Sequence, residues 1–267
     1  MDLNDWNVKP RSTPEVYARE IILQLKINSL PIDPQKIAQQ LGISADEEDL
    51  PFDLDGMFVR EGDIEIIAVN QNIKYPTRKR FSFAHELGHA RLPWHGDTEH
   101  RCHKKDIAGY RNINLKESEA NTFAAELMMP YKFFEDDVKR RSFSFETLDE
   151  LAEEKYVTSL TATAIRFVSL TQEPCAVALV DNNKILWGYS SKTFYRRIKT
   201  KKAITNESFA YDFFNSGTEL KGETNEVLAR AWVETSNPDI TLLESSRSFS
   251  DLEVVLTLLN VPEKPDN

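Results

Sequence analysis

The chain has 267 residues, of which 40% are hydrophobic and 28% charged, as in ordinary folded globular proteins. Its formal net charge of -10 at pH 7 argues against a surface built throughout for nucleic acid, although a local basic patch is compatible with it. The two cysteines are too few for a disulfide scaffold, no secretion signal is visible and no apolar run is long enough to cross a bilayer, so we expect a cytoplasmic protein without a membrane partner.

Two amphipathic helices are predicted first. Pro14 follows residues that often cap a helix N-terminus, and the apolar periodicity behind it continues to about Leu30. A second helix is predicted from Pro34 to Leu41, with Gly42 as its C-terminal cap. We interpret this pair of helices as scaffold.

An acidic segment and a hairpin follow the helices. Residues 44–54 are predicted to form a loop. Residues 55–60 and 65–70 are β-rich runs separated by a short turn with a glycine, which predicts an antiparallel hairpin.

The next helix carries the clearest chemical motif of the chain. It is predicted from Thr77, as N-cap, to Leu92, and it contains His-Glu-x-x-His. His85 and His89 are four positions apart and share a helical face, so both imidazoles can reach one metal ion. Glu86 lies beside them and can accept a proton from a metal-activated water. A five-residue pattern also occurs by chance, but its place in mid-helix favours the metal site.

A following helix, residues 117–130, is predicted to supply the third ligand. A carboxylate is the usual third ligand. Glu117 is preferred because Asn121, one turn on, lies on the same face and can orient Glu117 or a ligand histidine by a hydrogen bond. Glu119 points about 200 degrees away around the helix and is the alternative ligand.

The two sequence blocks at 80–89 and 117–130 together resemble the ImmA/IrrE family of metallo-endopeptidases. The resemblance implies a gluzincin-like fold, metal ligands at His85, His89 and Glu117, and a general base at Glu86. Characterised members of that family cleave a helix-turn-helix repressor and so switch on stress-response or mobile-element genes. Asn121 is a departure, since the wider gluzincin pattern often has Asp there.

All five histidines of the chain lie between positions 85 and 103. The segment after the metal helix is predicted as a loop of about twenty residues over the cleft. Three of its residues are candidate donors to the transition state, namely His95, Tyr110 and Arg111. A second metal site is the alternative interpretation of its His and Cys residues, which are His95, His100, Cys102 and His103.

Residues 142–172 resemble a helix-turn-helix unit. The second helix offers only Arg166 as a cation, and the first helix is acidic. Because phosphate contacts from Lys and Arg dominate DNA affinity, a structural or partner-docking role is favoured over DNA binding.

Residues 173–267 mix strands and helices without a parallel βαβ repeat, which predicts an α+β sensor-like domain. A hairpin with a three-residue polar turn at 181–183 opens it. In the family the corresponding region resembles a GAF or PAS module. One basic cluster could hold a nucleic acid or an acidic partner, although solvated surface is the commoner explanation; it consists of Lys192, Arg196, Arg197, Lys199, Lys201 and Lys202.

The sequence thus predicts an α+β protein with three parts: a gluzincin-like metallopeptidase domain (1–141), a helix-turn-helix-like unit (142–172) and a GAF/PAS-like domain (173–267). The leading hypothesis is an endopeptidase that uses zinc, with manganese as the alternative metal, and cleaves a protein, in particular a transcriptional repressor. A regulator that keeps the metal fold but acts by binding DNA or a protein is the second hypothesis. A hydrolase for a small amide is the third.

Overall fold

The computed structural model describes residues 13–96, 98–103 and 114–262. The fold is mixed α+β with helices and two sheets, as the sequence predicts. The described residues form two compact units: one contains those up to Phe133 together with Ala152–Ser159, and the other contains Phe134–Leu151 and those from Leu160 onward. The division into three domains stays a prediction. None of the described helices is long and apolar enough to cross a membrane.

The first unit combines helices with a four-stranded sheet. Its helices are α1 (Pro14–Gln24), α2 (Pro34–Gln40), α3 (Pro76–Arg91) and α4 (Leu115–Met128). Its strands are β1 (Ser44–Glu48), β2 (Leu54–Glu61), β3 (Ile64–Asn70) and β4 (Glu99–His103). The sheet order is β1-β3-β2-β4, with β1 parallel to β3 and the other pairs antiparallel.

The ends of the helices follow local backbone chemistry. Helix α1 ends at Gln24 rather than near Leu30, because Lys26 adopts a positive φ of 52° that interrupts the helical path. Gly42 has φ 84°, the left-handed conformation expected of a glycine that follows a helix. Helix α3 begins at Pro76 with Tyr75 as its N-cap, so the prediction of Thr77 as the cap is wrong by two residues.

The predicted loop at 44–54 is wrong in its first half, where β1 pairs in parallel with β3. Ala45 is fully buried, whereas the acidic residues around it face solvent. The side-chain amides of Gln35 and Gln39 donate to the Ala45 carbonyl at 2.9 and 3.1 Å, which ties the strand to α2. Charged side chains on a short edge strand hide its β character in the sequence.

Strand β4 is the second element that the sequence analysis misses, since its residues were predicted as part of a loop. It pairs with β2 so that Cys102 lies opposite Gly56 and His100 opposite Phe58. Its residues are mostly polar and have low intrinsic strand preference, so tertiary pairing decides the conformation. The pairing fixes the positions of His100 and Cys102 beside α3.

Helices α3 and α4 approach each other closely at Gly88. A Cβ at this position would lie 3.2 Å from the Ala120 Cα and 3.2 Å from the Phe123 ring. The buried apolar residues of both helices belong to one core cluster, which includes Phe83, Leu87 and Leu127. This contact fixes the ligand-bearing faces of the two helices relative to each other.

Between the first unit's helix α4 and the second sheet the chain forms short helices. They are α5 (Tyr131–Arg140), α6 (Phe145–Asp149), a π-helical stretch (Glu150–Lys155) and α7 (Leu160–Leu170). The second unit then contains β5 (Cys175–Asp181), β6 (Lys184–Ser190), α8 (Phe209–Ser216), β7 (Lys221–Leu228), β8 (Thr241–Phe249) and β9 (Val254–Asn260). The sheet order is β6-β5-β9-β8-β7, antiparallel throughout. The C-terminal part is therefore β-rich, and its likeness to a GAF or PAS module stays a prediction.

The hairpin of β5 and β6 differs from its prediction in the turn. Asp181 pairs with Lys184, so the loop contains two residues instead of three. Asn182 and Asn183 have φ 47° and 60°, the conformation that a two-residue hairpin turn of type I′ requires. Asparagine adopts positive φ angles more readily than most residues, which explains why two asparagines occupy this turn.

A buried carboxylate organises the polar interior of the second unit. Glu244 on β8 accepts hydrogen bonds at 2.7 to 3.2 Å from four groups: the Trp232 Nε1–H, the hydroxyls of Ser208 and Ser246, and the Ala210 N–H. It is fully buried, and burial raises its pKa although these hydrogen bonds oppose the shift.

This carboxylate predicts a pH-dependent stability. Because the pKa of Glu244 is higher in the folded than in the unfolded state, its contribution to the free energy of unfolding falls as pH rises from the unfolded pKa through the raised folded one. We expect Glu244→Gln to remove this decrease, measured as urea unfolding followed at a series of pH values. Glu219→Gln, at an exposed position, is the matched control and should leave the pH profile unchanged. An unaltered profile for Glu244→Gln would contradict the assignment.

Candidate metal centre

Three side chains from α3 and α4 converge at the buried face between these helices. His85 and His89 project from adjacent turns of α3, and their Nε2 atoms are 3.1 Å apart. From α4, the Glu117 Oε2 lies 3.1 Å from the His85 Nε2, and its Oε1 lies 3.7 Å from the His89 Nε2. All three residues are buried. The predicted ligands are thus brought together.

Asn121 sets the orientation of His85. Its Oδ1 lies 2.9 Å from the His85 Nδ1. An amide oxygen only accepts hydrogen bonds, so the Nδ1 carries the proton and the Nε2 lone pair faces Glu117 and His89. This is the supporting position that the helical spacing predicts for Asn121.

His89 is oriented by a second chain of hydrogen bonds. Its Nδ1 lies 2.9 Å from the His95 Nδ1, and the His95 Nε2 lies 3.2 Å from the Glu119 Oε2. Trp94 donates its indole N–H to the same carboxylate oxygen at 2.8 Å. Because a carboxylate accepts, the His95 Nε2 carries the proton and its Nδ1 accepts from the His89 Nδ1–H. The His89 Nε2 is therefore free to bind a metal.

Strand β4 adds two side chains to the cluster. The His100 Nε2 is 2.6 Å from the Glu117 Oε1, and the His100 ring stacks on that of His89 with centroids 3.6 Å apart. The Cys102 thiol is fully buried and its Sγ is 3.9 Å from the Glu117 Oε2. Strand β4 therefore contacts both oxygens of Glu117, His100 at Oε1 and Cys102 at Oε2.

Glu86 lies in the same place with a carboxylate that no described residue satisfies. It is fully buried, and both of its oxygens lack a hydrogen-bond partner. The backbone of β2 passes it closely: a Cβ at Gly56 would be 2.7 Å from the Glu86 Oε1. A buried polar group without a partner is costly, which points to a ligand or water in this position.

The pKa values define the charges of the cluster. Burial raises the pKa of Glu86 to about 7, although the neighbouring His85 opposes the shift. Burial lowers the pKa of His89 to about 3, so the ring is neutral at pH 7. Burial works against the charge of Glu117, yet the hydrogen bond from His100 holds its pKa well below the usual range.

This set of groups fits a divalent metal ion. The ligand atoms of His85, His89, Cys102 and Glu117 all lie within 4.8 Å of one another. The lone pairs of His85 and His89 face each other at 3.1 Å, an arrangement that repels unless a cation lies between them. In a tetrahedral site with metal–ligand bonds of about 2.0–2.3 Å, neighbouring ligand atoms are about 3.3–3.8 Å apart, close to the separations observed.

The family follows from the sequence around these ligands. Residues 38–166 match the model of peptidase family M78, the IrrE N-terminal-like domain. Over these residues the chain is similar to the IrrE N-terminal-like domain. The match contains every described residue of the metal cluster and confirms the resemblance inferred from the blocks on α3 and α4.

The wider comparisons concern the fold. A solved structure described as a Mycobacterium tuberculosis transcriptional regulator superposes with a TM-score of 0.60 at 12% identity, covering 93% of this chain and 75% of that chain. This likeness extends beyond the IrrE-like domain and shows a shared fold. No curated protein matches the chain significantly.

The other predicted site residues do not join the metal ligands among the described residues. Tyr110 and Arg111 lie outside the described residues. His95 is buried behind His89, with its two nitrogens directed to His89 and Glu119, which favours a supporting role over contact with a substrate. The second metal site does not form among the described residues, where His103 contacts Asp53 at 3.1 Å and the other candidates lie around the first site.

Three residues of the IrrE-like domain acquire roles that the sequence reasoning did not assign. Glu119 holds His95, His100 holds Glu117, and Cys102 lies among the ligand atoms. The available signal was the alternation of His100 and Cys102 with charged residues. In a β-strand this alternation places both side chains on the same face of the sheet.

Proposed function

We propose that the chain is a metal-dependent endopeptidase that cleaves a protein substrate in the cytoplasm, in particular a transcriptional repressor of the helix-turn-helix class. The family is that of peptidases, and the donor set of His85, His89 and Glu117 fits a catalytic metal with zinc as first choice and manganese as the alternative. The observation that carries the proposal is the buried, unpartnered carboxylate of Glu86 beside this donor set.

In this proposal the residues divide the work. His85 and His89 bind through Nε2 and Glu117 through a carboxylate oxygen, while Asn121 and His95 keep the two imidazoles in the required tautomers. A bound divalent ion supplies a Lewis acid that acidifies water and polarises the scissile carbonyl. Glu86 takes a proton from the attacking water at a carboxylate oxygen and delivers it to the leaving amine.

The pKa of Glu86 suits this exchange of protons. A value of about 7 means that the group both accepts and releases a proton near neutral pH with little free-energy cost. A carboxylate at its ordinary pKa would be a weaker base. The burial that raises the pKa also keeps bulk water from competing at the site.

The test is direct incubation of the metal-loaded full chain with candidate repressor proteins, followed by mass spectrometry of the fragments. We expect cleavage at a defined peptide bond, its loss when a chelator removes the metal, and its return when zinc or manganese is added. An absence of fragments with every metal would overturn the endopeptidase.

A non-proteolytic regulator is the second candidate, favoured by the structural neighbour, which is described as a transcriptional regulator. Such a regulator would bind DNA or a protein through charged surface residues, and the basic cluster within 192–202 is the candidate binding region. Reversal of charge at Arg196, Arg197 and Lys199 would then abolish function, whereas Glu86→Gln would not.

A further inference from the structure

Cys102 occupies the position of a fourth ligand. Its Sγ is 3.9 Å from the Glu117 Oε2, and all four candidate ligand atoms of the cluster lie within 4.8 Å of one another. Catalytic metal sites keep one position open for water, whereas sites with four protein ligands are closed. With Cys102 included, the cluster has the donors of a closed site.

The position of Glu86 supplies an independent observation. Cys102 lies opposite Gly56 in the register of β4 and β2, and Gly56 is the residue whose backbone borders the Glu86 carboxylate. The thiol and the unpartnered carboxylate are therefore next to each other at the same side of the cluster. The place where Glu86 would need a water is the place that the sulfur can fill.

We propose that Cys102 is a fourth protein ligand that gives the metal centre a closed, latent state, in addition to the open state that the proposed peptidase function requires. Opening is a ligand exchange without oxidation or reduction. Cys102 would leave the ion as a thiolate and take up one proton to become a thiol, and a water would take its place as ligand. The inference rests on the proposed metal centre.

The strand that carries Cys102 is suited to such an exchange. β4 has five residues, lies at the edge of the sheet and pairs with β2 as its neighbour in the described sheet. Its pairing is interrupted by a register shift between Leu54 and Gly56, next to the Cys102 position. Edge strands with irregular pairing separate more easily than central ones, and a sheet edge also accepts extended peptides. Displacement of β4 would carry the sulfur out of ligand range.

Cobalt substitution tests the closed state without an activity assay. The full chain loaded with Co²⁺ should show the near-ultraviolet charge-transfer band of a thiolate–cobalt bond beside the visible bands of a four-coordinate ion. Cys102→Ser and Cys102→Ala should lose the charge-transfer band and keep the visible bands. Cys175→Ser is the matched control, since Cys175 is equally buried, lies on β5 of the other unit and has a pKa raised to about 12 by burial.

Each spectrum decides the proposal. A wild-type protein that binds cobalt without the charge-transfer band overturns the fourth ligand but leaves the peptidase intact. A band that survives in Cys102→Ser overturns it as well. Because the chain has two cysteines, a band kept in Cys175→Ser assigns it to Cys102 even if the Cys102 variants fail to fold. Complete lack of cobalt binding overturns the metal centre and the closed state together.

Cleavage provides a second readout that separates the two proposals. If the closed state is latent, Cys102→Ser should cleave substrate several-fold faster than the wild type, and Cys175→Ser should cleave at the wild-type rate. Slower cleavage by Cys102→Ser would contradict latency. If no variant cleaves any candidate while the charge-transfer band is present, the proposed function fails and the fourth ligand stands.

Discussion

Glu86→Gln is expected to lower the rate of substrate cleavage by about 10²- to 10⁴-fold, the range of a lost general base. Glutamine has the same shape and fills the same space beside Gly56, but its amide cannot take up a proton at neutral pH. The carboxylate it replaces is buried, lacks a hydrogen-bond partner and has a pKa of about 7. Glutamine removes the buried charge but is still a buried polar group, so we expect the variant to fold with a stability close to that of the wild type.

The experiment compares kcat/KM on an identified substrate with the metal affinity measured by competition against a chelator. Metal affinity should stay within a few-fold, because Glu86 is not among the three predicted ligands. Glu61→Gln, at an exposed position on β2, is the control for loss of one negative charge. Cleavage by a homogeneous Glu86→Gln preparation at a rate near that of the wild type would exclude this residue as the base.

The core of the site is predictable from the sequence because it depends on one helix and one spacing. His85 and His89 are four positions apart, which fixes both imidazoles on one face of the helix whatever the rest of the chain does. The same reasoning places Asn121 one turn from Glu117. The structure has the Asn121 oxygen 2.9 Å from the His85 ring. The spacing places Asn121 on the face of Glu117, and the packing of α4 against α3 selects His85 as its partner.

The strands of the first sheet were harder because their residues carry little β preference. Ser44–Glu48 is acidic, and Glu99–His103 contains two charged residues, two histidines and a cysteine. Both strands lie at edges of the sheet. An edge strand tolerates polar residues because it pairs with a neighbour on one side only and its other side is solvated. The missed β4 is why the roles of His100 and Cys102 did not emerge from the sequence.

Glu119 shows a different limit. Its angle on α4, about 200 degrees from Glu117, predicts a side chain that points away from the metal. The structure adds that the chain after α3 returns to this side, where Trp94 and His95 meet the Glu119 carboxylate. A residue can thus face away from the ligands on its own helix and still support one of them through a third element, which spacing within one helix does not reveal.

Glu117 and Glu119 on α4 therefore lead to a graded prediction for metal affinity. Glu117→Gln replaces a ligand with a neutral amide, and we expect the metal affinity to fall by more than about 100-fold. This is more than the loss expected when a residue that only hydrogen-bonds to a ligand is changed. Glu119→Gln leaves the three ligands in place but weakens the hold on His95, and hence on the tautomer of His89. A fall of about 10- to 100-fold is expected for it.

Both variants are isosteric and lie two residues apart on one helix, so differences in helix stability contribute little to the comparison. Zinc affinity by competition with a chromophoric chelator gives the ranking, and Glu61→Gln again controls for net charge. The alternative in which Glu119 is the third ligand predicts the reverse order, with the larger loss at Glu119. Equal losses would mean that the support of His89 by His95 and Glu119 matters as much for metal affinity as the ligand Glu117. The reason would be that His89 in the other tautomer presents an N–H to the metal instead of a lone pair.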